Sequence, residues 1–114
     1  MRRYGAGMPV VPGAGSYAAD DEPHYAEQFR SADLSVGTYS LPAGSVDDQS
    51  PHTEDEIYVV TAGRASFVDE GGRLAVAAGD TIFVAAGREH RFVDIEEDLT
   101  LVVVFAPPYR SRQA

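Results

Sequence analysis

The sequence predicts an all-β, antiparallel domain, a sandwich or small barrel, and three observations carry that reading. Runs of β-branched and aromatic residues recur about every ten residues from about Glu27 onward. Gly, Pro and Asp punctuate them where tight turns need preset or permissive backbone. No long window shows the 3.6-residue apolar period of a helix.

Taken in order, residues 1–26 read as an N-terminal arm, rich in Gly, Ala and Pro at first and then acidic at Asp20-Asp21-Glu22-Pro23. Such an arm is expected to be extended or partly mobile, or to pack on a neighbouring subunit. Only 25–30 could briefly be helical. Strands are expected over 28–30, 34–41, 56–61, 64–69, 73–77, 81–84, 90–95 and 99–105. Leu41-Pro42-Ala43-Gly44 presets a turn, Glu70-Gly71-Gly72 suits a hairpin, and Ala78-Gly79-Asp80 suits another tight connection. The stretch from Ile95 through Glu96, Glu97 and Asp98 to Leu99 reads as a turn at the barrel rim. Ile57-Tyr58-Val59-Val60 and Leu101-Val102-Val103-Val104-Phe105 are apolar on both faces. One face would line the interior, and the other would pack on a second sheet or a partner subunit. The barrel is expected over 27–108, with a short C-terminal tail over 109–114.

Bulk properties narrow the function. A chain of 114 residues fits one domain. It has no cysteine, so disulfides, thiolate ligands and thiol nucleophiles are excluded. Asp and Glu number 18 against 9 Lys and Arg, a formal net charge of −9. Phosphate backbones and anionic membranes would repel that surface, so no nucleic-acid or membrane partner is expected. No window approaches the apolar length of a membrane span and no signal peptide is read at the N-terminus, so a cytoplasmic location is expected. A Gly-rich phosphate loop and a Gly-x-Ser-x-Gly elbow are both missing.

The three histidines are His24, His52 and His90. His24 lies in the arm and is read as a surface residue. His52 stands in Gly44-Ser45-Val46-Asp47-Asp48-Gln49-Ser50-Pro51-His52-Thr53-Glu54-Asp55-Glu56, with Gly63 after six more residues. His90 follows Gly79, five residues, Ala85-Ala86-Gly87 and two residues, and Asp94 comes four later.

These two stretches resemble the paired motifs of the cupin superfamily. Its first motif has a glycine, a His-x-His pair, a glutamate three or four residues later and a glycine after six more. His52, Glu56 and Gly63 match its second half. Its second motif has a glycine, five residues, Pro-x-Gly, two residues and a histidine. Gly79, Gly87 and His90 match it. The resemblance spans roughly residues 34–107. Ser50 stands where the first histidine would be, Ala85 replaces the proline, and Asp94 replaces the closing asparagine.

The resemblance implies an antiparallel double-stranded β-helix, a jelly-roll barrel, holding one divalent metal through His52, Glu56 and His90. Residues of equal parity share a strand face, so Glu56, Tyr58 and Val60 should point one way, and His90, Phe92 and Asp94 should share a face on their own strand. Gln49 could supply the ligand missing at Ser50 if the local strand is bulged. Two imidazoles and one carboxylate with open positions form the facial triad of non-haem Fe(II) oxygen chemistry. Fe²⁺ is therefore favoured, with Mn²⁺, Ni²⁺, Zn²⁺ or Cu²⁺ as other candidates.

The expected activity is a dioxygenase acting on a small organic molecule. Glu56 and Tyr58 are the candidate catalytic groups, although Tyr58, with Phe92, would equally suit the core. The alternatives are a metal-dependent isomerase, cyclase or lyase, and a non-catalytic ligand- or metal-binding module. Glu54 and Asp55 would make the entrance acidic, as solvated loop charges or as a general base. Related barrels are commonly dimers, so a homodimer is expected.

Overall fold

The computed structural model describes residues 10–18, 21–49 and 51–112. Ser50 and much of the expected N-terminal arm lie outside those residues. Six strands form in chain order: β1 (His24–Arg30), β2 (Ser35–Leu41), β3 (Asp55–Asp69), β4 (Gly72–Ala77), β5 (Thr81–Val84) and β6 (His90–Ala106). All pairings are antiparallel, in the order β1-β2-β6-β3-β4, with β5 also on β3. No helix occurs among the described residues. Residues 25–30 are strand, because Tyr25, Ala26 and their neighbours pair along β2, and long-range pairing overrides a weak local preference.

Two expected breaks are not breaks. The strands read over 56–61 and 64–69 are one strand, β3, and those over 90–95 and 99–105 are one strand, β6. Residues 95–99, read as a rim turn, are continuous β6. The register shifts between Val60 and Ala62, Ala62 and Arg64, and Arg64 and Ser66. These bulges bend the strand pair rather than end it. The first part of β3 lies between β5 and the end of β6, and its last part lies between β4 and the start of β6. Both long strands thus pass from one sheet into the other, which closes the jelly roll. Gly63 makes the corner: its φ is +90°, and a Cβ there would lie 2.3 Å from the Asp98 carbonyl oxygen. The hairpin signal at Glu70-Gly71-Gly72 holds, joining β3 to β4, and Ala78-Gly79-Asp80 is the tight connection that carries β4 into β5, both of these strands paired along β3. Asp69 accepts a bond from the Gly71 amide at 2.7 Å, and the Asp80 amide donates to the Ala77 carbonyl at 3.0 Å.

The interior faces meet in one core built from Leu41, Tyr58, Val60, Phe67, Phe92, Leu99, Leu101, Val103, Phe105 and smaller neighbours. The parity expected for Glu56, Tyr58 and Val60 is observed, since all three are buried. For His90, Phe92 and Asp94 it fails at the last residue. Asp94 has φ +48° and turns outward to Arg73, and Ile95 takes the buried position instead. On the outer side, residues 10–18 cover β2. The Gly15 amide donates to Thr38 Oγ1 at 2.9 Å and the Ala18 amide to Ser40 Oγ at 3.0 Å. Ile57 and Phe83, cross-strand partners on β3 and β5, stay exposed.

Candidate metal centre

The site is assembled from three places in the chain. Glu56 enters from the second residue of β3, His90 from the first residue of β6, and His52 from the loop before β3. That loop is tied across the barrel mouth, because the Gly87 amide donates to the His52 carbonyl at 2.7 Å. One ligand atom from each of His52, Glu56 and His90 lies within 4.8 Å of the others. Glu56 and His90 are buried, while His52 is half-buried.

The donor set fits a divalent ion. His90 Nε2 stands 3.2 Å from Glu56 Oε1. Two ligands at right angles on one ion, each bonded at about 2.1 Å, are separated by about 3 Å. Glu56 Oε1 is buried and, despite that proximity, receives no hydrogen bond. Such an atom normally has a partner, so it is left free for a cation. His90 Nδ1 donates to the Arg88 carbonyl at 2.8 Å, which fixes the ring and turns Nε2 toward the cluster.

Electrostatics set the two histidines apart. Burial pushes His52 below the ordinary imidazole value of 6.5, outweighing the attraction of Glu56. Burial also opposes charge on His90, but the Glu56 carboxylate and the Arg88 carbonyl outweigh it and raise His90. Tyr58 is pushed far up, first by burial and then by Glu56, so its phenol stays protonated.

Gln49 completes the ring of polar groups. Its Oε1 lies 3.1 Å from His52 Nε2 and accepts from the Tyr58 hydroxyl at 3.0 Å. The same hydroxyl is 3.0 Å from His90 Nε2. Sequence reasoning missed the residue that orients Gln49. Asp47 is fully buried; it accepts from Gln49 Nε2 at 2.7 Å, the Tyr39 hydroxyl at 2.7 Å and the Phe92 amide at 2.8 Å. Nothing local marks it, since one of its partners is 45 residues away.

A cavity of about 120 Å³ opens on the cluster, lined by Gln49, His52, Glu56 and Tyr58 and by Tyr25, Tyr39, Phe105 and Tyr109. Tyr109, in the segment read as a tail, stacks on Phe105 at 4.7 Å and meets His52 edge-on at 5.6 Å. It is held by its amide to Ser35 Oγ and by Arg30 to its carbonyl. Phe92 packs on Tyr58 inside the barrel, as its face predicts. Glu54 is not a solvated entrance charge: it is buried and accepts from the Thr53 hydroxyl and the Arg110 amide. Asp55 is exposed and caps the Ala86 amide. Neither lines the cavity. His24 is exposed at the start of β1.

Comparisons with known proteins agree with this architecture. The family model described as a cupin domain matches residues 37–106. An uncharacterized protein of Streptomyces coelicolor is 44% identical over 84 residues, which cover 74% of this chain and 80% of that protein. Among solved structures, an RmlC-like cupin from Desulfovibrio desulfuricans superposes with a TM-score of 0.72 at 19% identity, over 89% of this chain and 98% of the other. KdgF from a Halomonas species gives 0.69 at 21% identity, covering 79% and 84%. The DMSP lyase DddQ from Ruegeria pomeroyi gives 0.71 at 23% identity, covering 93% of this chain and 56% of that one. At these identities the structural likenesses concern the fold. With its jelly-roll barrel, its paired motifs and a matching domain over most of its length, the chain belongs to the cupin family.

Proposed function

We propose that this cupin is a metal-dependent enzyme acting on a small organic molecule, and within that class a non-haem Fe(II)-type dioxygenase. The observation that carries this is the convergence of His52, Glu56 and His90 on one buried point beside a cavity, with Glu56 Oε1 unpartnered. A divalent ion held there would supply a Lewis acid with coordination positions open toward the cavity.

The chain's own groups then have distinct tasks. His52 and His90 bind through neutral imidazoles, and Glu56 offsets the ion's charge. Gln49 offers Oε1 as a fourth donor in place of the histidine missing at Ser50, because Asp47 holds its Nε2 end. Tyr58 keeps a proton between Gln49 and His90 at the cavity wall, where it can pass that proton to a substrate oxygen. The aromatic wall gives the reacting centre a largely apolar surround.

The test is elemental analysis of untagged protein combined with oxygen-uptake assays over a panel of small organic compounds. Iron near one per chain with oxygen consumption is the expected result. Zinc or nickel without oxygen uptake would favour an isomerase, cyclase or lyase. Metal-free protein that still binds a ligand would leave a binding module.

A further inference from the structure

Among the described residues, three buried side-chain oxygens have no hydrogen-bond partner: the Tyr25 hydroxyl, Glu56 Oε1 and Thr100 Oγ1. Two of these residues, Tyr25 and Glu56, line the same cavity. Glu56 is accounted for by the metal cluster. Tyr25 is not part of that cluster, and its hydroxyl is costly to bury unless something answers it.

The fold makes specific room for this hydroxyl. Tyr25 pairs with Tyr39 across β1 and β2, and its ring leans along the strand over Gly37. A Cβ at Gly37 would lie 2.2 Å from the hydroxyl and 2.4 Å from Cζ. Gly37 is not in the left-handed region, so it is glycine for space and not for backbone angle. A glycine in mid-strand weakens a strand, and here it does so to seat a phenol. The ring is held edge-on by Phe105 at 6.1 Å and Tyr109 at 5.4 Å. Burial raises the phenol's pKa first, and Glu27, Tyr109 and Glu56 add to it, so the hydroxyl stays a donor at any physiological pH.

The cavity that Tyr25 lines is small and aromatic. Tyr25, Tyr39, His52, Tyr58, Phe105 and Tyr109 contribute six rings, and among the described residues no lysine or arginine lines it. Its volume of about 120 Å³ is comparable to a hole of about 150 Å³ that admits benzene. That volume holds one six-membered ring.

We propose that Tyr25 is a substrate-binding residue of this cavity, donating its hydroxyl hydrogen to an oxygen of a single-ring aromatic substrate whose opposite, oxygen-bearing end reaches the His52–Glu56–His90 cluster. The far end of that pose rests on the metal reading above; the Tyr25 seat rests on its own geometry. Gly37 is the specificity device, since any larger residue would push the phenol out of position.

The test uses Co(II)-loaded full-length protein, with metal content measured directly and the visible cobalt band as the binding signal. The probes are benzoate, its 2-, 3- and 4-hydroxy derivatives, and 2-naphthoate. Wild type is expected to bind one hydroxybenzoate about tenfold tighter than benzoate, the size of one good hydrogen bond. In Tyr25→Phe that preference should shrink to within about twofold, while benzoate affinity and cobalt content stay unchanged. The 2-naphthoate should bind at least about tenfold more weakly than benzoate. Tyr25→Phe removes a buried unpartnered group, so the probe-free variant should melt no lower than wild type. Gly37→Ala should erase the same preference if it folds, and Tyr25→Phe carries the test if it does not. No favoured isomer, a preference that survives in Tyr25→Phe, or equal binding of naphthoate would overturn the inference with the metal reading intact. Failure of wild type to take up cobalt would instead overturn the metal reading and the pose that depends on it.

Discussion

The side-chain amide of Gln49 donates to the buried carboxylate of Asp47 at 2.7 Å, and that bond decides which end of Gln49 faces the interior. With Nε2 held, Oε1 is presented to His52 and Tyr58. Asp47 also spans β2 and β6 through Tyr39 and Phe92, so one carboxylate braces the wall and aims a donor. Asp47→Ala should therefore do two things. It should lower stability by roughly 2–4 kcal/mol in urea unfolding, because the buried Phe92 amide and the half-buried Tyr39 and Gln49 donors lose their acceptor. It should also weaken metal affinity about tenfold, as loss of an outer-shell partner does. Gln49→Ala should reproduce the affinity loss with a much smaller stability loss. Calorimetric metal titration of both variants checks the pair.

His90→Ala should abolish tight metal binding and leave the barrel folded. His90 sits at the start of β6, where the ladder to β3 is carried by backbone groups that alanine retains. What disappears is the imidazole 3.2 Å from Glu56, one of the three donors of the cluster. Metal content by mass spectrometry, with a near-wild-type far-UV spectrum, is the readout. Unchanged metal content would remove His90 from the centre.

The pH dependence of the metal-free protein follows from His90, whose folded pKa lies above the ordinary 6.5. A raised imidazole contributes stability that is fully present below the unfolded value and is lost as pH rises through the folded one. Between about pH 6 and pH 8, metal-free wild type should therefore lose more stability than metal-free His90→Gln. Metal binding runs the other way, because ligation needs the neutral ring. Affinity should be tight at the top of that window and fall toward its bottom. Thermal melts with and without chelator across the window test both signs.

Gly63→Ala is expected to be among the most damaging single-methyl additions in the barrel. The residue must adopt φ +90°, and the new Cβ would strike the Asp98 backbone at 2.3 Å. The strained dihedral alone costs roughly 1–3 kcal/mol. The struck atom is backbone and cannot step aside, so the total should be at the top of that range or beyond it. Denaturant midpoints measure this directly. A wild-type midpoint would mean that the corner between the two sheets is not rigid.

Much of the fold was legible because β-structure writes itself locally. Alternation placed Glu56, Tyr58 and Val60 on one face, and turn chemistry marked Gly71-Gly72 and Gly79-Asp80. The three residues of the cluster were legible for a different reason: histidine and glutamate at fixed distances from turn glycines leave a signature that survives without coordinates. Local pattern could not show that β3 and β6 run unbroken through their bulges, because a bend and a break use the same residues. It left 25–30 open to a brief helix and read only 28–30 as strand, since the pairing that makes β1 a strand comes from β2.

Sequence alone thus determined the all-β class, the paired motifs and which histidines and glutamate form the cluster, all of which depend on spacing along one stretch of chain. Only the tertiary structure decided what surrounds them. Asp47, Tyr25 and Tyr109 reach the site through partners dozens of residues away. Parity assigns a side chain to a face, but the closing of two sheets into a barrel decides which faces meet, and so which hydroxyl is left buried without a partner.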